Sequence, residues 1–369
     1  LAMQSVDPHT LETIKRDNIS TQDYEELQKK FTKDGIATYT EFILALPGDT
    51  YVSFANGVSN VIQSGQHNRI QFNNLSILPN AEMAEPGNIK RDEIKTVGGP
   101  IVNVHGSLDE APEDSIYESQ QLVISTRTLP FNDWKKTRVY ASVAEFLYFN
   151  KIAQIPLIVL NSLEKIEFRE LFEHFLNNSD EHETLKEIKK NLQEHAEQIA
   201  KGKSEFLYKE GYLDIYWPPG EFEYIKLVIG QKLDQFYDEL KKHYIKFCKS
   251  KLTKEIFEES LELNKKLMRL PEDKKDEVYE SNFNILENYH QVLKLNKPKF
   301  ISKKNKFLIV RTDMKFNNAQ DWMREVIWYG HRSGKYLCNI KELNETSEDQ
   351  EKFSNTKDSA KFKGDSFPM

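Results

Sequence analysis

The strongest constraint on this chain lies in its first hundred residues, where short apolar runs alternate with helical patterns. Leu1 to Ser5 is strand-like. Pro8 to Arg16 sets a proline at a helix start, with Leu11 and Ile14 behind it. Thr21 to Lys33 is a second helical stretch, ended by Asp34-Gly35. Ile36 to Leu46 is apolar on both faces, as a strand covered on both sides would be. It stops at Pro47-Gly48-Asp49-Thr50, and Tyr51 to Ser64 is helical again. Arg69 to Leu78 reads as a further strand, closed by Pro79-Asn80. Strands and helices alternating over short links predict a parallel sheet with helices on its face and right-handed crossovers.

The grammar changes near residue 105. Residues 163–300 carry amphipathic, highly charged helices, with apolar positions at Leu227, Leu233, Phe236, Leu240, Tyr244 and Phe247. The helical pattern continues from Val278 to Leu293. The Glu and Lys runs here read as solvated faces. Phe307 to Arg311 reads as a returning strand, and Trp322 to Tyr329 as a last helix. The expected division is therefore 1–104, a mostly helical 105–343, and a polar tail over 344–369, expected to be disordered.

Composition narrows the function classes. A chain of 369 residues, 38% of them hydrophobic, can bury enough surface to fold. Its net charge of −7 argues against a nucleic-acid partner, which calls for a basic face. The longest apolar run, Ile152 to Leu160, is too short for a membrane span and contains Pro156. Two cysteines, Cys248 and Cys338, cannot build a disulfide framework or a four-thiolate metal site. They read as reduced thiols of a cytoplasmic protein. His67, His105 and His331 lack HxH or HExxH spacing, so metal ligation is not expected. The most distinctive stretch of the helical part is Tyr212-Leu213-Asp214-Ile215-Tyr216-Trp217-Pro218-Pro219-Gly220-Glu221. It reads as a packed turn between helices or as the aromatic lining of a substrate mouth. The opening Leu1-Ala2-Met3-Gln4-Ser5 looks like a strand already under way, so a fragment of a longer protein is expected.

Three segments go together: Leu1 to Pro8 with Leu11-Glu12-Thr13-Ile14-Lys15-Arg16, then Glu41 to Thr50, then Leu75-Ser76-Ile77-Leu78-Pro79-Asn80. In this order and spacing they resemble the second half of a radical S-adenosylmethionine (SAM) barrel. The flavour is that of the cobalamin-binding radical SAM proteins, many of them methyltransferases. Glu118 to Val123, Asp133-Trp134 and Trp328-Tyr329-Gly330 are similar, more loosely, to longer members of that group. The resemblance implies an α/β fold, with the second half of a (βα)6 partial TIM barrel over 1–104 and a mostly helical C-terminal domain after it.

It also implies SAM contacts. Gln4 and Ser5 would touch the ribose, and Arg16 the carboxylate through its planar fork. Leu44, Leu46, Pro47 and Gly48 would meet the adenine, and Ile77, Leu78 and Pro79 its edge. Ala45 and Asp49 stand where the family has Gly and Glu. Read without the resemblance, Gln4-Ser5 is a polar strand end and Arg16 an exposed helix arginine. Pro47-Gly48 is then an ordinary turn, and Ile77-Leu78 core. The family's 4Fe-4S cluster is held by a C-x3-C-x2-C loop, which this chain does not contain. Cluster ligands and cobalamin domain are thus expected outside this chain. The implied activity is reductive cleavage of SAM to a 5′-deoxyadenosyl radical, with methylcobalamin as methyl donor. The implied partners are a small-molecule or peptide substrate and an electron donor such as flavodoxin or ferredoxin. Two alternatives stay open: a radical SAM enzyme of another reaction type, and a non-catalytic helical interaction protein on a degenerate half-barrel.

Overall fold

In the computed structural model, which describes residues 1–107 and 118–343, the first third follows the expected alternation. It runs β1 (Ala2–Gln4), α1 (Pro8–Thr13), α2 (Thr21–Lys33), β2 (Thr40–Leu44), α3 (Tyr51–Gln63) and β3 (Ile70–Asn74). The strands form one parallel sheet in the order β1-β2-β3, with Glu41 opposite Gln71 and Ile43 opposite Asn73. The sheet is open, so no closed barrel forms among the described residues. Helix starts carry the side chains that helix ends require. Asp7 accepts from the Thr10 amide, Ser20 from that of Asp23, and Thr50 with Ser53 makes a capping box.

The period-two pattern sorts the faces. Thr40, Phe42 and Leu44 are buried, while Glu41 and Ile43 between them are only half-buried. The buried face lies against α3, where Phe42 meets Phe54 edge-on with ring centres 5.8 Å apart. The opposite face of the sheet carries Glu41, Ile43, Gln71 and Asn73.

The single strand expected over 69–78 is two strands. After β3, Ser76–Ile77 (β4) turns into a second, antiparallel sheet, leading through α4 (Pro86–Arg91) to β5 (Lys95–Pro100) and β6 (Ser119–Ser125). Its order is β4-β6-β5. Leu75 joins the two sheets: its amide donates to Leu44 O (2.9 Å), and its carbonyl accepts from the Val123 amide (2.8 Å). The buried Asn74 side chain locks the break. It donates to Val123 O (2.9 Å) and accepts from Trp134 Nε1 (2.9 Å). Because β5 and β6 pair across residue 104, that boundary cuts through a sheet.

The remainder is mostly helical: α5 (Phe131–Ala144) running into a π-turn at Glu145–Phe149, α6 (Gln154–Glu164), α7 (Phe168–Asn178) and α8 (Glu183–Ile199). A small hairpin, β7 (Leu207–Tyr208) and β8 (Tyr216–Trp217), leads into α9 (Pro219–Ile229), α10 (Leu233–Tyr244) and α11 (Lys251–Leu267). The long apolar run forms α6, with Ile155 to Leu160 all buried. Pro156 lies in the helix's first turn, where a missing N–H costs little. Asn264 of α11 takes up the free Ile155 amide there (3.1 Å). No single described helix is long and apolar enough to cross a membrane.

The chain ends in β9 (Glu277–Phe283), α12 (Ile285–Leu293), β10 (Ser302–Val310), α13 (Ala319–Trp322), a π-turn at Met323–Trp328, α14 (Tyr329–Ser333) and β11 (Asn339–Glu342). The three strands form an antiparallel sheet, β11-β10-β9. Residues 278–283 were expected to be helical but are strand. Tyr279, Ser281 and Phe283 are buried in alternation, and β10 supplies the pairing that selects this state. One hydrophobic core runs unbroken from Met3 to Cys338. The expected tail, 344–369, lies outside the described residues.

Candidate functional site

Two groups of side chains stand out, one at the ends of the parallel strands and one in the helical part. At the first, β1 ends on Gln4 with φ 56° and β2 is followed by Ala45 with φ 68°. Both are left-handed conformations that a non-glycine residue adopts only when its surroundings impose them. Ser5 is buried, and its Oγ accepts from the Asp7 amide (3.2 Å). Gly48 has φ 89°, and a Cβ there would stand 2.7 Å from Thr13 Oγ1 and 3.3 Å from Thr10 Cα. Only glycine lets the turn approach α1 so closely. Asp49 is buried, accepts from the Thr50 amide (3.0 Å) and Ser53 Oγ (2.5 Å), and burial pushes it up to about 6.

The structure therefore packs the Gly48 turn on α1 at Thr10 and Thr13, and sets Ser5 beside the N-cap Asp7 of the same helix. Leu44 and Leu46 are buried, Leu44 on the same face as Phe42 under α3. At this strand end the backbone, more than that leucine side chain, is what a ligand would meet. Arg16 is placed differently: its Nη2 donates to Ala2 O (2.7 Å) and its Nε to Asn18 Oδ1 (3.1 Å). Ile77 is half-buried on β4, while Leu78 (65% exposed) and Pro79 face solvent.

The second group centres on Glu221 in the first turn of α9. Glu221 is fully buried. Its Oε2 lies 2.7 Å from His105 Nε2, and its Oε1 lies 2.5 Å from His331 Nδ1. Tyr336 Oη donates to the same Oε1 at 3.4 Å. Burial alone would raise Glu221, but the facing His331 and His105 rings hold it down at about 2. His105 has φ 56° and is strapped to β8, its amide donating to Tyr216 O at 2.8 Å. Trp217 and Trp328 flank its ring, with centres 5.2 and 5.8 Å away. His331 comes from α14.

Glu145, at the π-turn after α5, accepts from the Gly220 amide (3.3 Å). Burial pushes it up to about 7, with the Glu221 charge adding to the effect. A Cβ on Gly220 would meet Glu145 Oε2 at 2.9 Å and Phe146 N at 3.0 Å, so glycine permits this approach.

A cavity of about 40 Å³ lies beside the second group, at His331 and Glu145. Gln71, Phe72 and Asn73 line it from the edge strand β3, with Arg138, Ser142 and Glu145 of the α5 segment and His331 also on its wall. Arg138 is buried and paired with Glu205 (3.3 Å), yet its Nε has no partner among the described residues. Sequence spacing missed the second group because its members stand 116 and 110 residues apart. The one usable signal was the Tyr212–Glu221 stretch, which carries β8 and delivers Glu221 at the start of α9.

This chain is similar to curated methyltransferases. One is the cobalamin-dependent radical SAM methyltransferase TokK of Streptomyces tokunonensis, 30% identical over 173 residues, which is 47% of this chain and 25% of TokK. Another is the 2-(S-pantetheinyl)-carbapenam-3-carboxylate methyltransferase of Streptantibioticus cattleyicolor, 32% identical over 149 residues, 40% of this chain and 21% of that enzyme. The matched stretches thus span a quarter or less of these curated relatives. No protein-family model matches the chain.

Proposed function

We propose that this chain is the SAM-cradling second half and mouth cover of a radical SAM methyltransferase. The observation that carries the reading is the common ending of the parallel strands, with left-handed residues at Gln4 and Ala45 and a glycine turn at Gly48 packed on α1. Ligand sites of parallel α/β sheets form at such strand ends. Ala45 stands where the resembled family has glycine, and its φ of 68° is the conformation glycine adopts most readily. The similarity to two methyltransferases, one of them a cobalamin-dependent radical SAM enzyme, supports the same reading.

In this account Gln4 and Ser5 hydrogen-bond the SAM ribose. The Ala45–Gly48 backbone meets the adenine, and Arg16 turns a guanidinium N–H to the carboxylate. Ile77, Leu78 and Pro79 close the adenine edge from β4 and its exit. SAM, when bound, supplies the radical chemistry. The helical part excludes water above the open sheet face, and the cavity between Asn73, Arg138 and His331 orients a substrate group.

Cys248 and Cys338 do not fit a 4Fe-4S cluster. They are two where the cluster's site-differentiated binding takes three, and burial pushes each thiol up to about 11, away from the thiolate. No step is assigned to a cluster on these residues, and none of them is assigned to cobalamin.

The test uses the protein of the whole gene, reconstituted anaerobically, with SAM affinity measured by equilibrium dialysis. Ser5→Ala and Arg16→Ala are each expected to weaken binding by roughly tenfold, the worth of a hydrogen bond to a charged or buried group. Unchanged affinity in both variants would remove the strand ends from the SAM site.

A further inference from the structure

His105, Glu221 and His331 form the one group of His, Cys, Asp or Glu side chains among the described residues whose ligand atoms all converge within 4.8 Å. All three are sequestered, with side chains 2%, 0% and 9% exposed. Two imidazoles and a carboxylate are a donor set that suits Zn²⁺ and neighbouring divalent transition ions. The set comes from three separate segments: the strap after β5, the start of α9, and α14.

Ring geometry agrees with a common centre. The two imidazoles stand 5.0 Å apart between centres and nearly perpendicular, at 87°. Two histidines on one tetrahedral ion with metal–nitrogen bonds of about 2.1 Å place their rings about 5 Å apart. The 2.5 and 2.7 Å contacts of Glu221 describe the set closed on itself by N–H···O bonds. Side-chain movements of well under 1 Å would open room for an ion, and the ring hydrogens would move to the far nitrogens. The cavity of about 40 Å³ beside His331 has space for a water at a further coordination position. Glu145 stands across it.

We propose that His105, Glu221 and His331 bind one divalent transition-metal ion of the zinc type, pinning α14 to the β5 strap beside the cavity that His331 lines. The inference stands apart from the SAM reading, since it rests on different residues and needs no cluster or substrate.

The experiment treats the chain with chelator, then titrates it with Co²⁺ followed by visible absorption and with Zn²⁺ followed by calorimetry. One equivalent is expected to bind, with Co²⁺ bands of a four- or five-coordinate site. Glu221→Gln should weaken binding by more than the roughly 100-fold that losing an outer partner of a metal ligand costs. If Glu221→Gln does not fold, His331→Gln reads out the same loss from a less buried position. His174→Gln, which alters the stacked His174–His243 pair of α7 and α10, should leave binding unchanged. The absence of saturable binding to the wild-type chain would overturn the proposal. So would binding that survives in the folded Glu221→Gln or His331→Gln variant.

Discussion

Ala45 and Glu221 show how differently single residues announce themselves. Ala45 was visible in the sequence only as a departure from the glycine of the resembled family; its φ of 68°, which glycine adopts most readily, comes from the structure. Gly48 was legible through the turn it makes. Glu221 was not, because a carboxylate between two histidines more than a hundred residues distant leaves no local pattern. Arg16 illustrates the limit from the other side. Its type was readable, but its bonds to Ala2 O and Asn18 depend on where the chain returns after α1.

His195 gives a prediction at the same scale. It is buried on α8 beside Ser204 O (3.2 Å), and burial, with the Arg138 charge, lowers it to about 3. The unfolded chain takes up this proton below about pH 6.5, whereas the native state refuses it until about pH 3. Its contribution to stability is therefore complete above pH 6.5 and is lost as pH falls toward 3. Between pH 6 and 4, urea unfolding of the wild type should lose about 1.4 kcal/mol per pH unit more than His195→Gln. Equal slopes would show that His195 titrates normally in the native state.

The parallel strands β1 to β3 were readable from alternating hydrophobicity and the turns that end them. The split between β3 and β4 was not, because Leu75, Ile77 and Leu78 continue an apolar run through it. What breaks the strand is tertiary: Asn74 is held by Val123 and Trp134 from distant elements. Strand β9 was misread for a related reason. It abuts α12 without a breaker of its own, and its pairing with β10 is a long-range choice. Asn74→Ala should therefore cost about 2–3 kcal/mol, since it removes two buried bonds and leaves Trp134 Nε1 unpaired. Chemical denaturation would read this, and a cost below about 0.5 kcal/mol would show that Leu75 and its backbone bonds suffice.

At the scale of the molecule, the sequence division at residue 104 captured a change of composition and missed a continuity of structure. The β5–β6 pairing crosses it, α3 packs on the helical part, and Tyr51 donates to Glu173 at 2.9 Å. The helical part is thus built onto α3 and against the edge strand β3, where Gln71, Phe72 and Asn73 line its cavity. The most direct measurement is 5′-deoxyadenosine formation by the whole-gene protein, reconstituted anaerobically with iron and sulfide and supplied with SAM and a strong reductant. The account predicts 5′-deoxyadenosine, diminished by Ser5→Ala. None formed under strong reductant, with the protein folded and its iron–sulfur centre assembled, would contradict it.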